Sequence, residues 1–128
     1  MNRLVAAIPY ARLLGMDVEE TPNGIECVLP FAASLIGNTR LPAIHGGVIG
    51  SFLEMTAILR LVAESGLDNV PRPISFTIDY LRSAGPRETR ARGEIFKLGR
   101  RISHVHVIAW QDERDRPVAA ANGKFLMA

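Results

Sequence analysis

A single cysteine, Cys27, in 128 residues excludes an internal disulfide. It reads instead as a small core residue of a chain in a reduced, cytosolic setting. Charge of one sign is also scarce. Fifteen Lys and Arg against 13 Asp and Glu leave a formal +2, and the pI of about 9.1 comes from a small arginine excess rather than a polybasic tail. That balance demands neither nucleic acid nor a membrane surface as partner. Aromatic residues make up 6% of the chain and are not interleaved with the arginines, as a base-stacking platform would require. No apolar run is expected to reach the roughly 20 residues of a bilayer span. The segment from Met1 to Tyr10, broken by Pro9, lacks the apolar length and small-residue cleavage site of a secretory signal. There is no internal repeat and no low-complexity tract.

What is present is a core-forming composition, 48% hydrophobic and 22% charged, in a length that fits one domain over residues 1–128. Leu4, Val5, Ile8, Leu13 and Leu14 suggest a short helix or turn packed on the body. Met16–Glu20 and Ile25–Leu29 flank Thr21-Pro22-Asn23-Gly24, where the Asn-Gly pair predicts a tight hairpin. Residues 30–44, with Pro30, Gly37 and Pro42, read as irregular. A long helix is predicted from about Gly46 to Ser65, stopped by Gly66. Over Arg72–Tyr80 the period changes to two. Ile74, Phe76, Ile78 and Tyr80 share one strand face, and Ser75, Thr77 and Asp79 share the other. Three further strands are expected near 87–98, 102–111 and 117–127, joined by turns at 97–100 and 112–117. Two strands, a helix and four strands predict an α+β domain with an antiparallel sheet. One helix covers at most one sheet face, so a free edge and leftover apolar surface imply another subunit.

The chemistry is expected on the helix. At about 100° per residue, Val48, Phe52, Met55, Leu59 and Val62 form a stripe that should pack on the sheet. Glu54 falls on the opposite side with Gly47, Gly50, Ser51, Ile58 and Leu61, and is the only acid between His45 and Ala63. An acid in an apolar helix costs free energy unless it has a role or a partner. Glycines at 46, 47 and 50, each about 1 kcal/mol worse than alanine in a helix, suggest close backbone approach and an open groove. The free N–H groups of Gly46 and Gly47 suit a carbonyl oxygen gaining charge, with Glu54 as nucleophile or as base for water. An ion pair of Glu54 with Arg60, or with an arginine of another subunit, is the structural alternative.

His45-Gly46-Gly47 followed at nine positions by Glu54 resembles the hotdog-fold thioesterases of the PaaI and 4-hydroxybenzoyl-CoA type. Ile78-Asp-Tyr-Leu-Arg-Ser-Ala84, Gly99-Arg100-Arg101 and Val118–Phe125 are similar to that family's third strand, fourth-to-fifth turn and last strand. The likeness covers about residues 15–127. It implies a hotdog fold, an antiparallel sheet wrapped around one central helix. It implies hydrolysis of an acyl-CoA to an acid and CoA, with no metal or other cofactor. It implies self-association as a dimer or dimer of dimers, with a site built from both subunits. Gly47 N–H would polarise the thioester carbonyl, Glu54 would act as nucleophile or general base, and His45 would position the helix start and the thioester. Many members carry an asparagine six residues before the histidine. Here that position is Thr39, Asn38 lies one residue earlier, and an insertion at Pro42 would let Asn38 serve.

The remaining candidates line the substrate. Gly46 and Ser51 flank the acid, and Ile58 and Leu61 beside it are candidates for an acyl pocket. Ser75 and Thr77 are candidates on the polar strand face. Of Arg82, Arg87, Arg90, Arg92, Arg100 and Arg101, the strand-end residues Arg82, Arg100 and Arg101 best suit CoA phosphates. The competing reading is solvated strand charge interleaved with Glu88 and Glu94. His104 and His106 share a face but lack a third metal ligand nearby. No Ser-His-Asp or Cys-His motif is visible. Two other functions stay open: a hotdog hydratase or dehydratase, which usually lacks the His-Gly-Gly, and a non-catalytic acyl-CoA binder or scaffold.

Overall fold

The computed structural model describes residues 5–6, 8–38, 43–66 and 70–127. In chain order the elements are α1 (Pro9–Leu14), β1 (Asp17–Thr21), β2 (Gly24–Leu29), a 3-10 turn (Ala33–Leu35), β3 (Ile36–Asn38), β4 (Ala43–Ile44), α2 (Gly46–Ser65), β5 (Arg72–Tyr80), β6 (Thr89–Lys97), β7 (Ile102–Trp110) and β8 (Ala119–Leu126). Six strands form one antiparallel sheet in the order β1-β2-β6-β7-β8-β5, so β5 leaves α2 and joins the far edge beside β8. This is the hotdog arrangement, one long helix against a large antiparallel sheet.

Strand alternation decides which face meets the helix. Ser103, Val105, Val107 and Ala109 of β7 are buried, as are Ala119, Ala121, Gly123 and Phe125 of β8. The small residues of β8 complement the large ones of α2, where Phe52, Leu53, Leu59 and Leu61 have no exposed surface. Phe76 of β5 meets Phe125 edge-on, with ring centroids 6.1 Å apart. Cys27 lies in this core, where burial pushes its thiol up to about 12.

Four expectations need correcting. The hairpin loop is Pro22–Asn23, since Thr21 pairs directly with Gly24; Thr21 Oγ1 donates to Gly24 O at 2.6 Å and closes the turn. Residues 30–44 are not wholly irregular, because β3 and β4 pair across a short hairpin. The packed stripe of α2 is not a stripe. Leu53, Ala57 and Leu61 are buried as fully as Phe52 and Leu59, Ile58 is nearly so, and only Val48 of the expected set is half-exposed. Finally, α2 is long and apolar enough by length and composition to cross a bilayer, but most of it is buried against the sheet, as a core helix requires.

The other sheet face carries a charge network. Glu26 on β2 is only 7% exposed, yet it accepts from Arg90 at 2.8 Å and from Arg114 at 3.2 Å. Arg90 also reaches Glu19 at 2.8 Å and Glu88 at 2.9 Å, and this triple acceptance raises the guanidinium pKa further above its ordinary value. Arg114 in turn lies 4.8 Å over the Trp110 ring. Removing Arg90 leaves the nearly buried Glu26 only its longer contact with Arg114. Arg90→Ala should therefore lower stability by about 2 kcal/mol, between the ranges for exposed and buried pairs. A urea titration would show it as a lower midpoint at unchanged slope.

Candidate active site

The start of α2 is held from three sides. His45 is the N-cap, and its Nδ1 accepts from Gly47 N–H at 2.9 Å. Its own N–H donates to Leu35 O at 2.8 Å, and a Cβ built on Gly37 would meet the His45 backbone and ring at 2.9–3.1 Å, so β3 backs directly onto the imidazole. From the strand side, Tyr80 Oη donates to Gly46 O at 2.8 Å. From the N-terminal side, Tyr10 Oη on α1 donates to Ser51 Oγ at 3.1 Å. The chain's two tyrosines thus both end on the first half of this helix.

Glu54 is half-buried and makes no hydrogen bond or ion pair among the described residues. Arg60 does not neutralise it, for that guanidinium bonds Glu64 at 2.8 Å one turn on. Burial, with no compensating charge, raises the Glu54 carboxyl above its ordinary range. Gly47, Ser51 and Glu54 form the accessible strip of this helix face.

The strip ends there. Ile58 and Leu61, expected to line an acyl pocket, are 4% and 0% exposed and belong to the core. The room beside Gly50 is not empty either. A Cβ there would lie 2.9 Å from Ile78 Cδ1 and 3.0 Å from Tyr80 Oη, so β5 fills the space the glycine leaves. Gly47 N–H, the donor that the resemblance assigns to the thioester, is engaged by His45. Ser75 and Thr77 are exposed and alternate with Phe76 and Ile78, which pack toward the core; they therefore point away from Glu54 of the same chain. Asn38 ends β3 opposite Ala43. Thr39 and Pro42, which bear on the asparagine position, lie outside the described residues.

A cleft of about 410 Å³ opens beside the helix start, lined by Ile44, Gly46, Ile49, Tyr80, Arg82 and Val118 among others. Glu54 does not line it. Arg82 is thus beside Gly46, whereas Arg100 and Arg101 occupy the β6–β7 turn. Sheet register puts Tyr80, Ala119, Ala109 and Arg90 at one end and Arg72, Leu126, Ile102 and Lys97 at the other. Nine-residue strands separate those ends by roughly 26 Å. The two turn arginines and the helix start are therefore not one site within a chain. Arg87 pairs with Asp112 at 2.7 Å, Arg90 joins the network above, and Arg92 donates to Asn23 O. Arg82, Arg100 and Arg101 make no ion pair among the described residues. His106 Nδ1 lies 3.0 Å from Asn122 Oδ1, and no group of three or more His, Cys, Asp or Glu is placed for a metal among the described residues.

Sequence reasoning missed Tyr80 and Tyr10. The first carried a signal, since it ends a strand that must return across the helix start; the second carried none.

Residues 38–126 match the family described as the acyl-CoA thioesterase N-terminal domain. The chain belongs to that family. A Chromobacterium violaceum protein of known structure is 35% identical, with a TM-score of 0.77, over 100% of this chain and 98% of its own. The Escherichia coli PaaI protein from the phenylacetic acid degradation operon superposes with a TM-score of 0.82 at 17% identity, covering 99% and 89%. A Bacillus halodurans protein solved with CoA gives 0.80 at 19%, covering 99% and 92%. The last two show the shared fold. No curated protein matches the chain in sequence. Within this thioesterase family fold, the His-Gly-Gly turn, the lone acid and the cleft at Gly46 converge on the first half of α2.

Proposed function

We propose that the chain hydrolyses an acyl-CoA thioester to a carboxylic acid and CoA. The observation that carries this is Glu54: a half-buried carboxylate, with no partner among the described residues, one turn beyond the glycine-rich helix start of a thioesterase-family fold. A carboxyl whose pKa burial has raised is a better base when ionised. As general base, Glu54 takes a proton from water while the water oxygen bonds the carbonyl carbon. The tetrahedral intermediate then collapses, the C–S bond breaks and the thiolate of CoA is protonated. As nucleophile, Glu54 would bond the carbonyl carbon itself, the C–S bond would break to release the CoA thiolate, and water would open the resulting anhydride to the free acid and the Glu54 carboxylate.

The developing oxyanion would be met by the helix-start amides. For Gly47 N–H to serve, His45 must swing away or share the donor, and its ring stands exposed where it can move. A sheet edge that suits self-association fits the same reading. Among the described residues β5 pairs only with β8, and Ile74, Tyr80 and Leu81 are more than half exposed along and beyond that edge. Because Glu54 does not line the 410 Å³ cleft, a second copy would be needed to close a pocket over the acid. Arg100 and Arg101, remote within one chain, would reach CoA phosphates only from that copy.

The test is a thiol-release assay over short, medium, aryl and hydroxyaryl acyl-CoAs. Turnover of at least one class well above the uncatalysed rate is expected. CoA-ester binding without thiol release for any class would instead favour a non-catalytic acyl-CoA binder.

A further inference from the structure

We infer that Tyr80 is a positioning residue, a clasp from the end of β5 that fixes the first turn of α2 so that its amides are aimed before substrate arrives. The need for such a clasp follows from composition. Gly46, Gly47 and Gly50 fall within the first five helical residues, and each is about 1 kcal/mol poorer than alanine in a helix interior. The first turn cannot hold itself by propensity, and its only side-chain cap is His45.

Tyr80 supplies a restraint from outside the helix. Its hydroxyl donates to Gly46 O at 2.8 Å, and its ring and hydroxyl atoms lie 3.6–3.9 Å from where a Gly46 Cβ would stand. The side chain is not there to fill the core, because Tyr80 is 56% exposed. Gly50 makes the contact possible, since a Cβ at that position would sit 3.0 Å from the hydroxyl. Gly50 also lies one turn before Glu54, so the clasp bears on the helix between the amides and the acid. Tyr80 lines the cleft at Gly46 as well, on the side from which a ligand would reach the helix start.

The consequence for chemistry rests on the thioesterase reading, whereas the clasp itself does not. Tyr80→Phe removes one hydroxyl and keeps the ring. Amide hydrogen exchange at Gly47–Gly50 should rise about fivefold to tenfold, the effect of one lost hydrogen bond, while exchange at Val105 and Val107 stays unchanged. The kcat for an acyl-CoA should fall by a similar factor with KM within about twofold, because misaimed amides weaken the transition state rather than binding. Gly50→Ala, which crowds the same hydroxyl, should reproduce part of the kcat loss and add little to Tyr80→Phe. Unchanged exchange at the helix start overturns the clasp. Exchange rising equally across the sheet makes Tyr80 merely structural, and a loss in KM alone makes it a substrate contact. If the wild-type protein releases no thiol from any acyl-CoA, the thioesterase reading fails, and the exchange measurement alone decides the clasp.

Discussion

Glu54→Gln should lower kcat for acyl-CoA hydrolysis by at least about 10³-fold while leaving the fold and CoA-ester binding intact. The amide keeps the shape of the carboxylate but can neither accept the proton of an attacking water nor bond the carbonyl carbon. Both roles considered for the acid predict this loss. The pH dependence separates a chemical role from a structural one. Burial raises the Glu54 pKa, so a window opens in which the unfolded chain has ionised and the native chain still holds the proton. There the native state binds more protons than the unfolded state, so stability falls as pH rises from the ordinary carboxylate range through the raised value, then stays flat. Activity must run the other way, since only the ionised form is a base. Wild-type protein should therefore gain turnover and lose stability over the same interval, and Glu54→Gln should show neither slope. Thiol-release profiles and urea midpoints across that interval would measure both. A variant within tenfold of wild type in kcat would remove Glu54 from the mechanism.

The elements were readable because their signals were local. Period-two alternation placed Arg72–Tyr80 as β5 to the residue, and a mostly apolar helix-length segment with Gly66 behind it placed α2. What could not be read was depth and distance. A helical wheel gives the direction of Ile58 and Leu61 but not what lies over them, and both prove buried. The Gly50 gap reads as open until Ile78 and Tyr80 are known to occupy it, a contact 28 and 30 residues away in sequence. Arg82, Arg100 and Arg101 are alike as strand-end cations. Only the antiparallel register shows that the first sits by the helix start and the others at the far end. The β3–β4 hairpin escaped notice because three- and two-residue strands carry no period at all.

The acid and the amides of this site should be separable by mutation, and Gly47→Ala is the sharper tool for the amides. A Cβ at Gly47 would stand 3.0 Å from His45 Nδ1 and 3.1 Å from Cε1, and nothing else crowds it. The exposed imidazole can yield, so the methyl should push it off the cap rather than strain the backbone. Two stability terms then oppose each other. Glycine to alanine in the first turn gains up to about 1 kcal/mol of helix propensity, and loss of the His45 cap costs about the same. Tm should stay within a few degrees of wild type. Activity has no such offset. The backbone N–H is retained, but the methyl stands beside the place an oxyanion must reach and displaces the histidine that shapes the turn, so the donor is obstructed and kcat should fall, by up to about 10²-fold. His45→Ala alone removes the cap and leaves the N–H open. In that background the alanine at 47 no longer has a ring to displace, so the two substitutions should combine to less than the product of their separate losses. Thermal melts and thiol-release kinetics on the two single variants and the double variant would complete the cycle. Wild-type kcat in Gly47→Ala would show that the reaction uses neither the space beside the Gly47 amide nor the His45 cap. A large fall in Tm would show instead that the clash reaches the backbone of the first turn.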